Sequence, residues 1–314
     1  MDEKPGVRNT SDNRISKRSL FGGVDDIIDS VLGVSGCAGQ RPKYSHLAAA
    51  KKLIRDRGKV DASQLCEAIY AQIVANWDWR MQLAGKKPKI APALWVLRRR
   101  NVLNPKKKGA EVPLERAISN LCAIYEKLNS SEDPVNTWYN QIPVAKGLVS
   151  NGEKLNAVDL IFRHPRGKFD FVELKAPAKV GTKTHPLYAG MEALKYGLAF
   201  HFFVSNLKEI REEGYLKDGD ERLLDASEVC LCVLASKSFY EGFELGWLER
   251  QLNDSLTRLP HSSQAKLQSI TFRFEVLTNG PADRADVSSG LFGFRRTLLS
   301  PGDWARLSEM KIHQ

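Results

Sequence analysis

The sequence predicts an α/β fold in which a basic, all-helical N-terminal region precedes a mixed sheet covered by helices. Three observations carry that expectation. Residues 1–110 hold 22 basic and 10 acidic side chains, a net +12, whereas the remaining residues hold 25 basic and 27 acidic. Between 137 and 175 three runs of strand character follow one another with turn chemistry between them. A helical stretch then precedes one more apolar run at 228–235, and a strand reached through a helix makes the sheet mixed.

Residues 1–20 are polar, charged and aperiodic, and are expected to be mobile. A short helix is expected over Val24–Leu32, ended by Gly33. HLAAAKKLIRD reads as a second helix that stops near Gly58. The next starts at Asp61 or Ser63, either a suitable N-cap, and carries Leu65, Ile69, Ile73 and Trp77 at four-residue spacing as far as Gly85. Pro92 is expected to open another helix, PALWVLRRRNVL. VPLERAISNLCAIYEKL is amphipathic, with Leu114, Ile118, Leu121, Ile124 and Leu128 on one side. TWYNQIPV (137–144), NAVDLIF (156–162) and KFDFVELK (168–175) form the strand meander, and PLYAGMEALKYGLAF (186–200) the helix after it. EVCLCVLA (228–235) reads as a buried strand. A helix near 246–258, a strand near SITFRFEVL and a short helix near Trp304 complete the chain. The organisation expected is a basic helical region, 1–110, and a second domain, 111–314.

At 42% hydrophobic and 27% charged residues, the composition excludes collagen-like, mucin-like and wholly disordered chains. The longest apolar runs fall well short of the roughly 18–20 residues of a membrane span. The N-terminus has no apolar core of a secretory signal, so a cytoplasmic protein without membrane attachment is expected. The five cysteines, Cys37, Cys66, Cys122, Cys230 and Cys232, form no C-x-x-C pair, and no structural zinc site is expected. The lopsided charge suggests a polyanionic partner, nucleic acid before anionic membrane. Phosphate contacts are expected from Lys86, Lys87, Lys89, Arg98, Arg99, Arg100, Lys106, Lys107 and Lys108. Trp77, Trp79 and Trp95 are expected in the core.

The chemistry is expected on the meander. Asp159 lies within AVDLIF, and Glu173 and Lys175 lie within FDFVELK. Side-chain alternation puts Glu173, Lys175 and Phe171 on one face, and antiparallel pairing can bring Asp159 opposite Glu173. Carboxylates crowded in a partly buried setting repel each other and lose hydration. A divalent cation removes that cost, and oxygen-only ligation favours Mg²⁺ or Mn²⁺. His164 and His185 lie near this region and are expected to be structural or solvated.

D-x13-E-x-K on two consecutive apolar strands, within a helix, three-strand meander, helix, strand order, resembles the PD-(D/E)XK nuclease superfamily over roughly 112–235. The resemblance implies a restriction-endonuclease-like core and a Mg²⁺-dependent DNA nuclease, with Asp159 and Glu173 as metal ligands and Lys175 as the catalytic lysine. It also implies an acid on the first core helix, for which Glu115 fits. Val158 stands where the family often has Pro. Glu192, with Lys195 and Tyr196, stands where RecB-type members carry a Gln and a Tyr. The function expected is hydrolysis of DNA phosphodiester bonds by an endonuclease of bacterial defence or restriction, with RNA left open as a substrate. The assembly expected is a homodimer or a complex with a partner subunit of a defence system. The alternative is a nucleic-acid-binding protein on a catalytically inactive nuclease scaffold.

Overall fold

The computed structural model describes residues 19–34, 42–82, 94–97, 111–129, 137–144, 156–176, 184–212, 223–260, 265–279 and 294–309. Its centre is a six-stranded mixed sheet in the order β1-β2-β3-β4-β5-β6. The strands are β1 (Thr137–Val144), β2 (Asn156–Arg163), β3 (Lys168–Lys175), β4 (Glu228–Ala235), β5 (Ser269–Asn279) and β6 (Phe294–Leu298). Among the described residues the helices are α1 (Val24–Val31), α2 (Leu47–Arg55), α3 (Leu65–Met81), α4 (Glu111–Asn129), α5 (Pro186–Ser205), α6 (Leu207–Glu212), α7 (Gly246–Leu256) and α8 (Pro301–Glu309). The first three strands form the antiparallel meander that the sequence predicts, and β4 lies parallel to β3. β5 is parallel to β4, and β6 closes the far edge antiparallel to β5.

Strand periodicity divides the sheet into two faces. Phe169 and Phe171 of β3, Leu231 and Val233 of β4, and Phe272 and Phe274 of β5 belong to a large cluster shared with α5. Val172, Leu174, Cys232 and Leu234 point the other way and pack with Trp138, Leu160, Phe162 and Ile118 of α4. The sheet is thus covered on both sides. α5 is buried nearly all round because α3 packs on its outer side. Gly197 allows the close approach of α5 to β4: a Cβ there would lie 2.3 Å from Leu231 Cδ1. The N-terminal helices share the larger cluster, which runs from Leu20 to Leu307. Cys66 N–H donates to Ser255 Oγ at 3.0 Å and Ala62 N–H to Gln251 Oε1 at 2.8 Å, joining the start of α3 to α7.

On the face toward α4, charged groups replace apolar ones near β6. Arg296 reaches Asp170 at 2.8 Å and Glu275 at 2.6 Å, and Arg273 reaches the same two carboxylates at 3.0 and 2.7 Å. Arg296 also lies over the Trp138 ring, 5.4 Å from its centroid. Burial alone would raise the Asp170 carboxyl, but the His164 hydrogen bond and the two guanidiniums hold it down at about 2.

The structure departs from the expected elements in particular places. The helix expected from Pro92 does not form over Leu94–Leu97, where the chain makes a turn with Trp95 at φ 57°. Trp95 is instead drawn into the core, 5.1 Å from Phe200 and 6.2 Å from Phe171 between ring centroids, and its backbone N–H donates to the Pro143 carbonyl. That burial outweighs local helical periodicity. α3 begins at Leu65, after either expected cap, and strand β6 and helix α6 are additions to the expected elements. Leu20, within the stretch expected to be mobile, is buried, and the carbonyls of Leu20 and Gly22 both accept from Asn76 Nδ2. Among the described residues no helix is long and apolar enough to cross a membrane.

Candidate active site on the meander

Asp159, Glu173 and Lys175 come from adjacent strands where regular pairing gives way. The β2–β3 register pairs Arg163 with Phe169 and continues to Leu160 with Val172. One step further Asp159 stands level with Glu173, and the Leu174 N–H donates to the Asp159 carboxylate at 3.0 Å. The β1–β2 ladder is interrupted at the same level. It pairs Asn140 with Leu160 and Ile142 with Val158, stepping over Gln141 and Asp159. Gln141 has φ 55°, a left-handed conformation that a non-glycine residue rarely adopts. Ile142 and Val158 consequently join the cluster on the α5 face, although alternation from Asn140 and Leu160 would turn them toward α4. The register is the same on both sides of the interruption, so no residue is inserted, and backbone held in a sparsely populated torsion of this kind clusters at functional sites.

Glu173 and Lys175 share the β3 face with Phe171, as alternation predicts. Each is 5% exposed, too little for an ordinary solvated surface pair. Lys175 Nζ lies 2.6 Å from Glu173 Oε1 and 3.7 Å from Glu192 Oε2 on α5. Burial, then the charge of Asp159, push the Glu173 carboxyl well above the ordinary range, with Lys175 opposing. Asp159, half-buried, is pushed up to about 7 by burial and by Glu115, against the pull of Lys175 and the Leu174 N–H. Burial would deprotonate Lys175, but Glu173, Asp159 and Glu192 more than offset it and raise its proton affinity. The ammonium therefore stays charged at neutral pH.

Glu115 enters from α4, on the opposite side of the sheet, and is 3% exposed. Its Oε1 accepts from Asn140 Nδ2 at 2.8 Å and its Oε2 from Gln141 Nε2 at 2.7 Å. The structure thus links Glu115 electrostatically to Asp159, and Glu192 to Lys175. Lys195 is directed elsewhere, to Asp25 of α1 at 3.0 Å and the Tyr44 hydroxyl at 3.1 Å. Tyr196 is buried beside the site, with Glu173 and Glu192 next after burial in raising its hydroxyl. The side-chain amides of Asn140 and Gln141 escape a reading of the sequence. Their signal is two adjacent amides in the middle of an otherwise apolar strand.

His185 is buried. Its Nδ1 accepts the Tyr188 N–H at 3.3 Å at the start of α5, and burial pushes its imidazole down to about 4. Lys86, Lys87, Lys89, Arg98, Arg99, Arg100, Lys106, Lys107 and Lys108 lie outside the described residues.

Among the described residues no three His, Cys, Asp or Glu side chains are gathered as a ready metal-binding set. The donor chemistry nevertheless suits a hard cation. The carboxyls of Asp159 and Glu173 are oxygen donors whose proton affinity is raised first by burial and then by neighbouring acids, more than Lys175 offsets, a condition that a divalent cation relieves. No protein-family model, curated protein or solved structure matches the chain.

Proposed function

We propose that the protein is a Mg²⁺-dependent DNA nuclease with a restriction-endonuclease-like core, acting as an endonuclease in bacterial defence or restriction within the cytoplasm. The observation that carries this reading is the meeting of Asp159, Glu173 and Lys175 where the β1–β2 and β2–β3 ladders both open. The element order supports it: α4, the antiparallel β1–β3 meander, α5, then β4 parallel to β3. The excess of positive charge in residues 1–110 supports a nucleic-acid substrate.

In this reading Asp159 and Glu173 would hold Mg²⁺ or Mn²⁺, with Glu115 as a further acid. The cation, when bound, lowers the pKa of water and stabilises charge on a phosphoryl oxygen. Lys175 remains protonated, so it acts as a hydrogen-bond donor and positive charge toward the water and the phosphate oxygens, not as the base. Glu192 keeps the ammonium aimed into the site. Tyr196 stands buried beside Glu173 and Glu192. The basic residues from Lys86 to Lys108 would follow the phosphate backbone, and a second copy or partner subunit would supply a second site for double-strand cleavage.

Incubation of supercoiled plasmid with Mg²⁺, Mn²⁺ or EDTA tests the reading. Nicking or linearisation is expected with either metal, and is expected to vanish with EDTA and in Glu173→Ala and Lys175→Ala. Binding of plasmid without cleavage under any metal would instead support a binding protein on an inactive scaffold. The same assay with a structured RNA decides the substrate's sugar.

A further inference from the structure

The interruption of β1 has a geometric consequence for Glu115. Consecutive residues of a regular strand project to opposite faces. Asn140 and Gln141 are consecutive, yet their side-chain amides reach the two oxygens of one carboxylate, at 2.8 and 2.7 Å. Asn140 does so from its regular position: it faces α4 together with Trp138. Gln141 does so only because its backbone has turned to φ 55°. A left-handed glutamine is strained and persists where the surroundings over-determine it. The hydrogen bond to Glu115 is the contact that this conformation makes possible.

An ionised carboxylate offers acceptors only, and a primary amide nitrogen offers donors. Two such amides, one per oxygen, suit the ionised form and fix the plane of the carboxylate. The grip is applied in a buried place, for Glu115 is 3% exposed and Asn140 fully buried. Arg116 lies 3.7 Å from the same Oε1 and adds positive charge there.

We infer that Asn140 and Gln141 are positioning residues that clamp Glu115 as an oriented, ionised third acid for a divalent cation held beside Asp159 and Glu173. The inference rests on the metal-dependent reading above. It assigns to the left-handed turn in β1 the task of aiming a helix-borne carboxylate, with neither amide touching the cation or the substrate.

The test is Mn²⁺ binding to the intact chain, measured by titration calorimetry without DNA, in wild type, Gln141→Gly, Gln141→Asn, Glu115→Gln and the double variant E115Q/Q141G. Glycine and asparagine both tolerate positive φ, so the turn survives. Glycine removes the amide, and asparagine shortens its reach by one methylene. Loss of about tenfold or more in Mn²⁺ affinity is expected in both Gln141 variants, the scale at which groups supporting metal ligands act. Melting temperatures are expected to stay close to wild type. E115Q and E115Q/Q141G are expected to bind alike, because the clamp has nothing left to orient. Unchanged affinity in both Gln141 variants overturns the inference, and so does an equal loss on adding Q141G to wild type and to E115Q. A wild type that binds Mn²⁺ no better than Asp159→Asn overturns the metal-dependent reading itself, and the inference with it.

Discussion

Asp159 keeps its proton to about pH 7, against an ordinary value of 3.8, because folding takes it partly out of water and beside Glu115. A carboxyl whose folded pKa is raised binds its proton more tightly in the native state than in the unfolded chain. Its favourable contribution is complete at low pH and is lost as pH rises from about 4 to about 7. Metal-free protein is therefore expected to lose thermal stability across that interval. Asp159→Asn is expected to flatten the loss and to melt at a higher temperature than wild type at about pH 8. Melting curves with EDTA from about pH 4 to about pH 8 check both statements, and an Asp159→Asn protein that melts no higher at the alkaline end would refute them. The same residue shows what a sequence discloses at this scale. An acid flanked by Val158 and Leu160 stands out from any strand, and so do Glu173 and Lys175 within FDFVELK. Asn140 and Gln141 show only as two adjacent amides in an apolar strand, because their meaning lies in a backbone torsion and in Glu115 on a distant helix. Neither is encoded by local pattern.

Elements are legible where local periodicity and long-range packing agree. The meander strands and β4 announce themselves by alternation or by unbroken apolar runs, and they form where expected. β6 does not announce itself. Its FRRTL sequence has little apolar alternation, and it turns inward an arginine, Arg296, held by Asp170 of β3 and Glu275 of β5. A strand whose interior face is a guanidinium becomes legible only once its acidic partners are in place. Trp95 shows the opposite failure, a locally convincing helix given up for aromatic packing. The approach of α5 to β4 offers a test at this scale. Gly197→Ala puts a methyl group into Leu231, and a destabilisation of about 1–3 kcal/mol is expected from overpacking. Shortening the obstacle with Leu231→Ala in the Gly197→Ala background is expected to cost less than the two single changes added together. Denaturant unfolding of the four proteins measures this, and strict additivity would show that the helix simply shifts aside.

At the scale of the molecule, charge and packing divide the chain differently. Composition separates a positive first third from a nearly neutral remainder, whereas the hydrophobic cluster joins the described N-terminal helices to the sheet and to α7. If the positive segment holds DNA, affinity must fall steeply with salt as counterions return to the phosphates. Replacing Arg98, Arg99 and Arg100 with alanine is expected to lower the slope of log affinity against log salt by about 0.9 for each phosphate that these side chains neutralise. Fluorescence anisotropy with a labelled duplex at several salt concentrations reads this directly, and an unchanged slope would remove these arginines from the interface.

The hydrogen bond from Cys66 to Ser255 spans 189 residues, and Glu67 is held by Arg258 across 191. A ribosome adding about 5–20 residues per second would need roughly 10–40 s to produce the second partner after the first. Until residue 205 is made α5 cannot cover the apolar side of α3, and until residue 256 is made α7 cannot either. The nascent chain must therefore carry an apolar helix face uncovered through much of its own synthesis, the kind of transiently exposed surface that chaperones exist to shield.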